Sequence, residues 1–191
     1  MPPLSAGFFL KGNNMFVKGD KAPNFQTTTA EGIEISLDNL LKNGPVVLVF
    51  HRYVGCPICQ MHAMELAKEY HQFQLRNTRL YIIMDSSMKR VRSFAEKKKL
   101  PPMFIPDPNR KLYDLYDVKT GGWQAYLSMP TLSAAAKATM KGHFQGAMKG
   151  NMRQLPADFV IGTDGVFKFV HYGEHFADHT PVNSLLLALY E

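Results

Sequence analysis

The only two cysteines of this chain, Cys56 and Cys59, stand three residues apart with Pro57 and Ile58 between them. They directly follow an unbroken apolar run, Val46–Phe50, in which three of the five residues are β-branched. Such a run predicts a buried parallel strand, and a helical pattern begins directly after it. Two thiols at this spacing and at a strand-to-helix junction can form a reversible disulfide, so the pattern indicates thiol redox chemistry.

The helix that follows, expected from about Pro57 to Leu75, gives the two cysteines different surroundings. Cys59 falls on the core-facing stripe, together with apolar residues at helical spacing: Ala63, Leu66, Tyr70 and Phe73. Cys56 precedes the first turn, where the helix dipole and free backbone N–H groups favour a thiolate and lower the pKa. Arg52 and His51 add positive potential. We therefore expect Cys56 to be an exposed nucleophile and Cys59 its shielded partner.

Two other uses of a cysteine pair are inert packing in the core and metal binding. A zinc site needs two more ligands, and the chain has no second pair of this spacing. His171, His175 and His179 are spaced by four, but Gly173 argues against one helix that presents all three. We therefore expect no metal and no cofactor, and histidines that are satisfied at the surface or in the core.

The composition is that of an ordinary globular protein, with 46% hydrophobic and 20% charged residues in 191 residues, and predicts one domain. The net charge of +6 is scattered, and its densest run, Lys97–Lys99, ends a predicted helix, where cations complement the dipole. We expect no nucleic-acid partner. No apolar stretch approaches the length of a membrane span, so no membrane partner is expected either.

The amino terminus has no basic region, and its short apolar part is broken by Gly7, so we expect no signal peptide. Met15 is a plausible start, which makes residues 1–14 a poorly ordered extension. The expected location is cytoplasmic. A reducing compartment favours catalytic cysteines over a structural disulfide.

Strands and helices alternate along the rest of the chain. A hairpin is expected around Ala30–Gly32, and a second around Thr163–Gly165, joining strands 158–161 and 166–171. Residues 119–152 form an insertion that resembles a loop or lid, with a helix over 133–141. The remaining predicted elements are strands 80–84 and 104–105 and helices up to Lys99, over 109–116 and over 182–190. This order indicates an α/β fold with a parallel central portion and a closing antiparallel hairpin.

Leu155-Pro156 lies just before the late strand. A trans bond would simply lead into that strand, whereas a cis bond would bring backbone against the cysteine pair.

Five stretches carry a family resemblance, and together they span about residue 15 to the end except for 119–152: Gly19–Phe25, Phe50–Cys59, Asp107–Tyr113, Phe159–Gly165 and Ala177–Pro181. The second of these is the most specific. The chain resembles the alkyl hydroperoxide reductase/thiol-specific antioxidant (AhpC/TSA) family, in its peroxiredoxin-like branch.

The resemblance implies a thioredoxin-like fold: a central mixed β-sheet flanked by helices, with an N-terminal β-hairpin extension and one domain over 15–191. It also implies that Cys56 attacks a peroxide or a disulfide and becomes a sulfenic acid or a mixed disulfide. Cys59 then resolves this intermediate, and an external dithiol, such as a thioredoxin-like protein, reduces the resulting disulfide. A homodimer is compatible with this interpretation.

The chain departs from the family pattern close to the nucleophile. Typical members have threonine or serine three residues before this cysteine and proline seven before it, where this chain has Tyr53 and Val49. The peroxide-binding hydroxyl is therefore missing or supplied by Tyr53. The arginine of the family is matched by Arg153 or, alternatively, by Arg52. Pro156, from the motif before the late strand, completes the supporting residues.

Three hypotheses follow. The first is a peroxiredoxin-like peroxidase, the second a thioredoxin-like oxidoreductase that acts on disulfides, and the third a non-enzymatic binding module with a redox-sensitive cysteine pair.

Overall fold

A computed structural model describes residues 15–122, 124–125 and 128–190, so the expected extension 1–14 lies outside the described residues. The fold is α/β, as predicted, with a two-stranded hairpin before a five-stranded sheet flanked by helices. The strands are β1 (Gln26–Thr28), β2 (Glu34–Ser36), β3 (Val46–His51), β4 (Arg79–Met84), β5 (Phe104–Pro106), β6 (Ala157–Ile161) and β7 (Phe167–Tyr172). The helices are α1 (Leu37–Leu41), α2 (Pro57–Lys68), α3 (Tyr70–Leu75), α4 (Met88–Lys98), α5 (Lys111–Leu115), α6 (Met129–Met140) and α7 (Val182–Leu187), followed by a 3₁₀ turn, Ala188–Tyr190.

The sheet is mixed, in the order β5-β4-β3-β6-β7. β3 is central: it pairs in parallel with β4 and antiparallel with β6, so that Phe50 lies opposite both Ile83 and Ala157. The predicted closing hairpin is present as β6 and β7. Because β3 leads directly into the cysteine pair, the centre of the sheet fixes the position of both thiols.

Both faces of β3 are buried, which explains its unbroken apolar sequence. Successive side chains point to opposite faces of a strand. Leu48 and Phe50 therefore join an aromatic core with α5 and the β6–β7 hairpin, whereas Val47 and Val49 join an aliphatic core under α2, α3 and α4. β3, the strand that leads to the cysteine pair, is therefore packed between the two cores.

Two predicted elements differ from the structure. The single helix expected over 57–75 is interrupted at Glu69, whose φ of −97° and ψ of 7° end α2 before α3 begins. Leu66 and Phe73 still face the core, so the buried stripe continues across the break. The helix of the insertion begins at Met129 rather than at residue 133, because the Ser128 side chain accepts the Thr131 N–H and caps its first turn.

Within the part of the chain that the structure describes, no helix has both the length and the apolar character that crossing a membrane requires.

The aromatic core provides a test of the fold. Phe159 is fully buried and makes edge-to-face contacts with Phe50 and Tyr172 at centroid distances of 5.6 and 5.3 Å. We expect Phe159→Ala to lower the free energy of unfolding by about 3–5 kcal/mol, measured by urea titration. The matched control is Phe144→Ala, since Phe144 is 68% exposed and its removal should change stability by less than about 0.5 kcal/mol. Equal effects of the two substitutions would contradict this packing.

Candidate functional site

Cys56 occupies the cap position at the start of α2, as its place before Pro57 predicted. Its backbone is extended, and its sulfur accepts the Cys59 N–H at 3.4 Å. The Cys59 thiol donates to the same sulfur, with 2.9 Å between the two Sγ atoms. Both cysteines are free thiols. The start of the helix therefore brings two hydrogen-bond donors to one sulfur.

Both cysteines are buried, with Cys56 1% and Cys59 0% exposed. The expectation that Cys56 is exposed was therefore wrong. Ala134, Ala135 and Ala177 pack against the cysteines, and residues 145–152, here called the covering segment, lie against Gly55 and Tyr53 next to them. The Gly146 N–H donates to the Gly55 carbonyl at 2.9 Å, and the Gln145 amide donates to that carbonyl at 3.0 Å.

Two side chains from the body of the fold hold the covering segment in place. Arg90 donates to the carbonyls of Ala147 and Lys149, each at 2.8 Å. The Asp85 carboxylate accepts the backbone N–H of Asn151 at 2.7 Å. Part of the expected insertion is thus a lid-like cover on the cysteine pair.

Arg52 is the cation next to Cys56. Its Nη1 donates to the Cys56 sulfur at 3.8 Å, and its Nη2 donates to the Met152 carbonyl at 2.8 Å. The guanidinium also lies 4.3 Å from the ring centroid of Phe176. These contacts hold a mostly buried positive charge beside the sulfur.

The surroundings change the pKa values of the two thiols in opposite directions. Burial raises the pKa of Cys56, but the Cys59 thiol, the Arg52 charge and the helix N–H groups together lower it to about 7. Burial and the hydrogen bond to Cys56 raise the pKa of Cys59 well above its ordinary value. Cys56 is therefore the thiolate former, and Cys59 keeps its proton. The expected contribution of His51 is absent, because burial and the neighbouring His62 lower its pKa well below the ordinary value and leave it neutral.

Tyr53 packs with both cysteines in one buried cluster, which Ala134, Ala135 and Ala177 close. Its hydroxyl accepts a hydrogen bond from the Gln145 amide at 3.1 Å. Burial raises the pKa of Tyr53, so the hydroxyl stays protonated and can act as a donor.

Arg153 and Pro156 take other positions. The Arg153 Nε donates to the Gly121 carbonyl at 2.9 Å, so Arg52 is the arginine that the structure places on the Cys56 sulfur. The Leu155–Pro156 peptide is trans. Pro156 precedes Ala157, the β6 partner of Phe50, and therefore lies at the same end of the sheet as the cysteine pair.

The histidines spaced by four were expected to be satisfied at the surface or in the core. His171 and His175 have hydrogen-bond partners, whereas neither ring nitrogen of His179 has one among the described residues. Of the three spaced by four, His179 alone joins a cluster, and its partners are His51 at the end of β3 and His62 on α2. His171 instead bonds Asp178. The missed signal is the position of His62, three residues after Cys59 and therefore close to the buried stripe of α2. Gln145, Arg90 and Asp85 were also missed, since no local pattern ties them to the cysteines.

A buried cysteine pair that starts a helix after the central strand of a mixed sheet defines a thiol-dependent oxidoreductase of the thioredoxin fold. Residues 18–170 match the AhpC/TSA family, and the chain belongs to that family. Both the resemblance and the fold class expected from the sequence are therefore confirmed.

Three known proteins illustrate the similarity. Peroxiredoxin-like 2C of Bos taurus is 25% identical over 167 residues, which cover 82% of this chain and 73% of that protein. A putative peroxiredoxin bcp of Helicobacter pylori is 28% identical over 161 residues, with coverages of 84% and 91%. The crystal structure of peroxidoxin BcpB from Mycobacterium tuberculosis has a TM-score of 0.65 at 20% identity, with coverages of 91% and 96%, and supports the fold.

The role of Arg52 can be measured through the pH dependence of thiol alkylation. In the wild type, alkylation of Cys56 by iodoacetamide should rise with a midpoint near pH 7. Arg52→Met removes the cation, so the midpoint should move up toward that of an ordinary thiol, about 8.5. Arg153→Met is the matched control and should leave the midpoint unchanged. An unchanged midpoint in Arg52→Met would show that the guanidinium does not stabilise the thiolate.

The covering segment can be displaced by one methyl group. A Cβ at Gly55 would lie 2.7 Å from the Ala147 carbonyl oxygen, closer than two such atoms approach. We therefore expect Gly55→Ala to push the segment away and to increase the rate at which a bulky aromatic disulfide reagent modifies Cys56 several-fold. Gly122→Ala is the control, because its Cβ would meet only the end of the Gln124 side chain. Equal rates in both variants would mean that the segment does not limit access.

Proposed function

We propose that this protein reduces a peroxide with the Cys56–Cys59 pair. The Cys56 thiolate attacks one oxygen of the O–O bond, releases water or an alcohol after protonation, and becomes a sulfenic acid. The Cys59 thiol then attacks this sulfur, and water leaves as the disulfide forms. An external dithiol reduces the disulfide to two thiols and is itself oxidised.

The observation that carries the proposal is the contact between the two sulfurs. Cys59 Sγ lies 2.9 Å from Cys56 Sγ and donates its proton to it, in a chain that belongs to the AhpC/TSA family. The sulfurs need to close by only about 0.9 Å to reach the bonded distance of about 2.05 Å. The resolving step therefore needs no large rearrangement of the helix start.

We propose that Arg52 and Tyr53 replace the threonine or serine hydroxyl that typical members of the family have three residues before the nucleophile. The guanidinium touches the Cys56 sulfur and can stabilise the negative charge that develops on the leaving oxygen. The Tyr53 hydroxyl lies in the same buried cluster and can donate a hydrogen bond to a peroxide oxygen. We propose that these two groups polarise the O–O bond.

Burial favours a peroxide over a protein disulfide as the substrate. A hydroperoxide presents two small oxygen atoms, whereas a protein disulfide has to bring its own backbone to the attacking sulfur. Cys56 is 1% exposed, and the residue before it, Gly55, packs directly against the covering segment. A small substrate therefore meets the smaller steric barrier.

The second candidate function, thiol–disulfide exchange, draws on the electronic properties of the pair. A cysteine with a pKa of about 7, paired with a protonated partner three residues later, also suits attack on a disulfide sulfur. The covering segment would have to open for this reaction. The third candidate, a redox-sensitive binding module, has no observation of its own.

We further propose that residues 15–191 act as one domain in the reducing cytoplasm, with a thioredoxin-like protein as the dithiol donor. The two free thiols support this placement, because a reducing compartment keeps thiols free. A homodimer is compatible with the proposed chemistry, which uses cysteines of one chain.

Parallel assays with one dithiol donor separate the candidates. The wild type should consume hydrogen peroxide and leave insulin disulfides largely intact. Cys56→Ser should abolish peroxide consumption, because serine is a poor nucleophile at neutral pH. Cys59→Ser should leave a sulfenic acid on Cys56 that dimedone traps and mass spectrometry detects. Insulin reduction without peroxide turnover would favour disulfide exchange, and turnover by Cys56→Ser would refute the assigned roles.

A further inference from the structure

Three histidines form a cluster that the proposed thiol chemistry does not use. His51 ends β3, His62 lies on α2, and His179 lies between β7 and α7. One ring nitrogen of each lies within 4.8 Å of those of the other two. Within residues 15–122, 124–125 and 128–190, this is the one group of three or more histidine, cysteine or acidic side chains gathered this closely.

Several ring nitrogens of the cluster are buried without a hydrogen-bond partner among the described residues. His51 Nε2 and His62 Nδ1 share one hydrogen bond at 3.0 Å, and the Thr180 backbone accepts from His62. Within residues 15–122, 124–125 and 128–190, His51 Nδ1 and both nitrogens of His179 have no partner. Native proteins retain few unsatisfied buried polar groups. Three of them in one place indicate that the cluster has another partner.

A buried carboxylate accompanies the cluster. Asp158 is fully buried, and its charge acts on His62. One of its oxygens accepts the N–H of Thr180, the residue after His179, at 2.8 Å. A buried carboxylate next to a ligating imidazole offsets the charge of a bound cation.

We propose that His51, His62 and His179 bind one divalent transition-metal ion of the kind that prefers imidazole, with Zn²⁺ the ion that best fits three neutral nitrogen ligands. Tetrahedral zinc with bonds of about 2.0–2.1 Å needs its ligand nitrogens about 3.4 Å apart. Ring nitrogens that are now up to 4.8 Å apart therefore have to approach one another by up to about 1.4 Å. Water fills the fourth position.

Such an ion would connect three elements behind the cysteine pair. His51 precedes Arg52, and His62 is three residues after Cys59 on α2. His179 belongs to the stretch that also carries Phe176, whose ring packs on the Arg52 guanidinium. Bound metal would therefore fix the positions of the groups that stabilise the Cys56 thiolate.

The test uses the full chain with Cys56→Ser and Cys59→Ser, because thiolates would otherwise compete for the metal. After removal of metal with a chelator, calorimetry with Zn²⁺ should give one saturable equivalent per chain and a raised melting temperature. Co²⁺ should give the visible spectrum of a tetrahedral site, and X-ray absorption at the zinc edge should show nitrogen and oxygen ligands. These spectra need no change to the histidines.

Substitutions then assign the ligands. His51→Phe, His62→Phe and His179→Phe, each in the thiol-free chain, should lose the saturable equivalent and the metal-induced rise in melting temperature. His71→Phe is the matched control and should keep both, since this exposed histidine lies outside the cluster. Absence of saturable binding in the thiol-free chain, or binding that survives in folded cluster variants, would overturn the proposal. Neither result depends on whether the protein reduces a peroxide.

Discussion

The Cys56 sulfur is buried, so a thiolate there requires that groups of the protein replace its lost hydration. Burial alone raises the pKa of a thiol, so the value of about 7 depends on the donors that converge on this atom. The end of β3 supplies Arg52, the first turn of α2 supplies backbone N–H groups, and Cys59 supplies its own thiol. β3 is the central strand of the sheet and leads directly to Arg52 and the start of α2, so the sheet fixes the positions of these hydrogen-bond donors.

The covering segment and the cation are coupled. Arg52 donates one hydrogen bond to the Cys56 sulfur and another to the carbonyl of Met152, which belongs to the covering segment. The closed arrangement thus strengthens the ion pair between guanidinium and thiolate, because a charge interaction grows as the local dielectric constant falls. If the proposed cycle holds, an external dithiol has to reach the disulfide after it forms. The covering segment then has to open in the disulfide state, in which Cys56 carries no negative charge for Arg52 to stabilise.

Local patterns of the sequence predicted the elements that position the site, but the contacts that complete it come from distant residues. The apolar run of β3, Pro57 at the helix start and the glycine turn before β7 gave the strand, the helix and the hairpin. By contrast, the Gln145 amide that bonds Tyr53 is 92 residues away, and the Arg90 side chain that holds Ala147 is 57 away. Burial of Cys56 was therefore missed, since it is a property of chain segments that meet only in the folded state. The histidine cluster was missed for the same reason, because regular spacing suggested three residues of which one takes part.

Whether the protein acts on a peroxide or on a disulfide then depends more on the space around Cys56 than on the pKa of its thiol. Both reactions need a thiolate of low pKa and a nearby second thiol, and the start of α2 together with Arg52 meets both requirements. What differs is the size of the electrophile. The covering segment packs so closely on Gly55 that a single methyl group would collide with the Ala147 carbonyl oxygen. Packing this tight favours a small electrophile over a polypeptide, which is why we propose that the segment, rather than the cysteine pair, sets the choice of substrate.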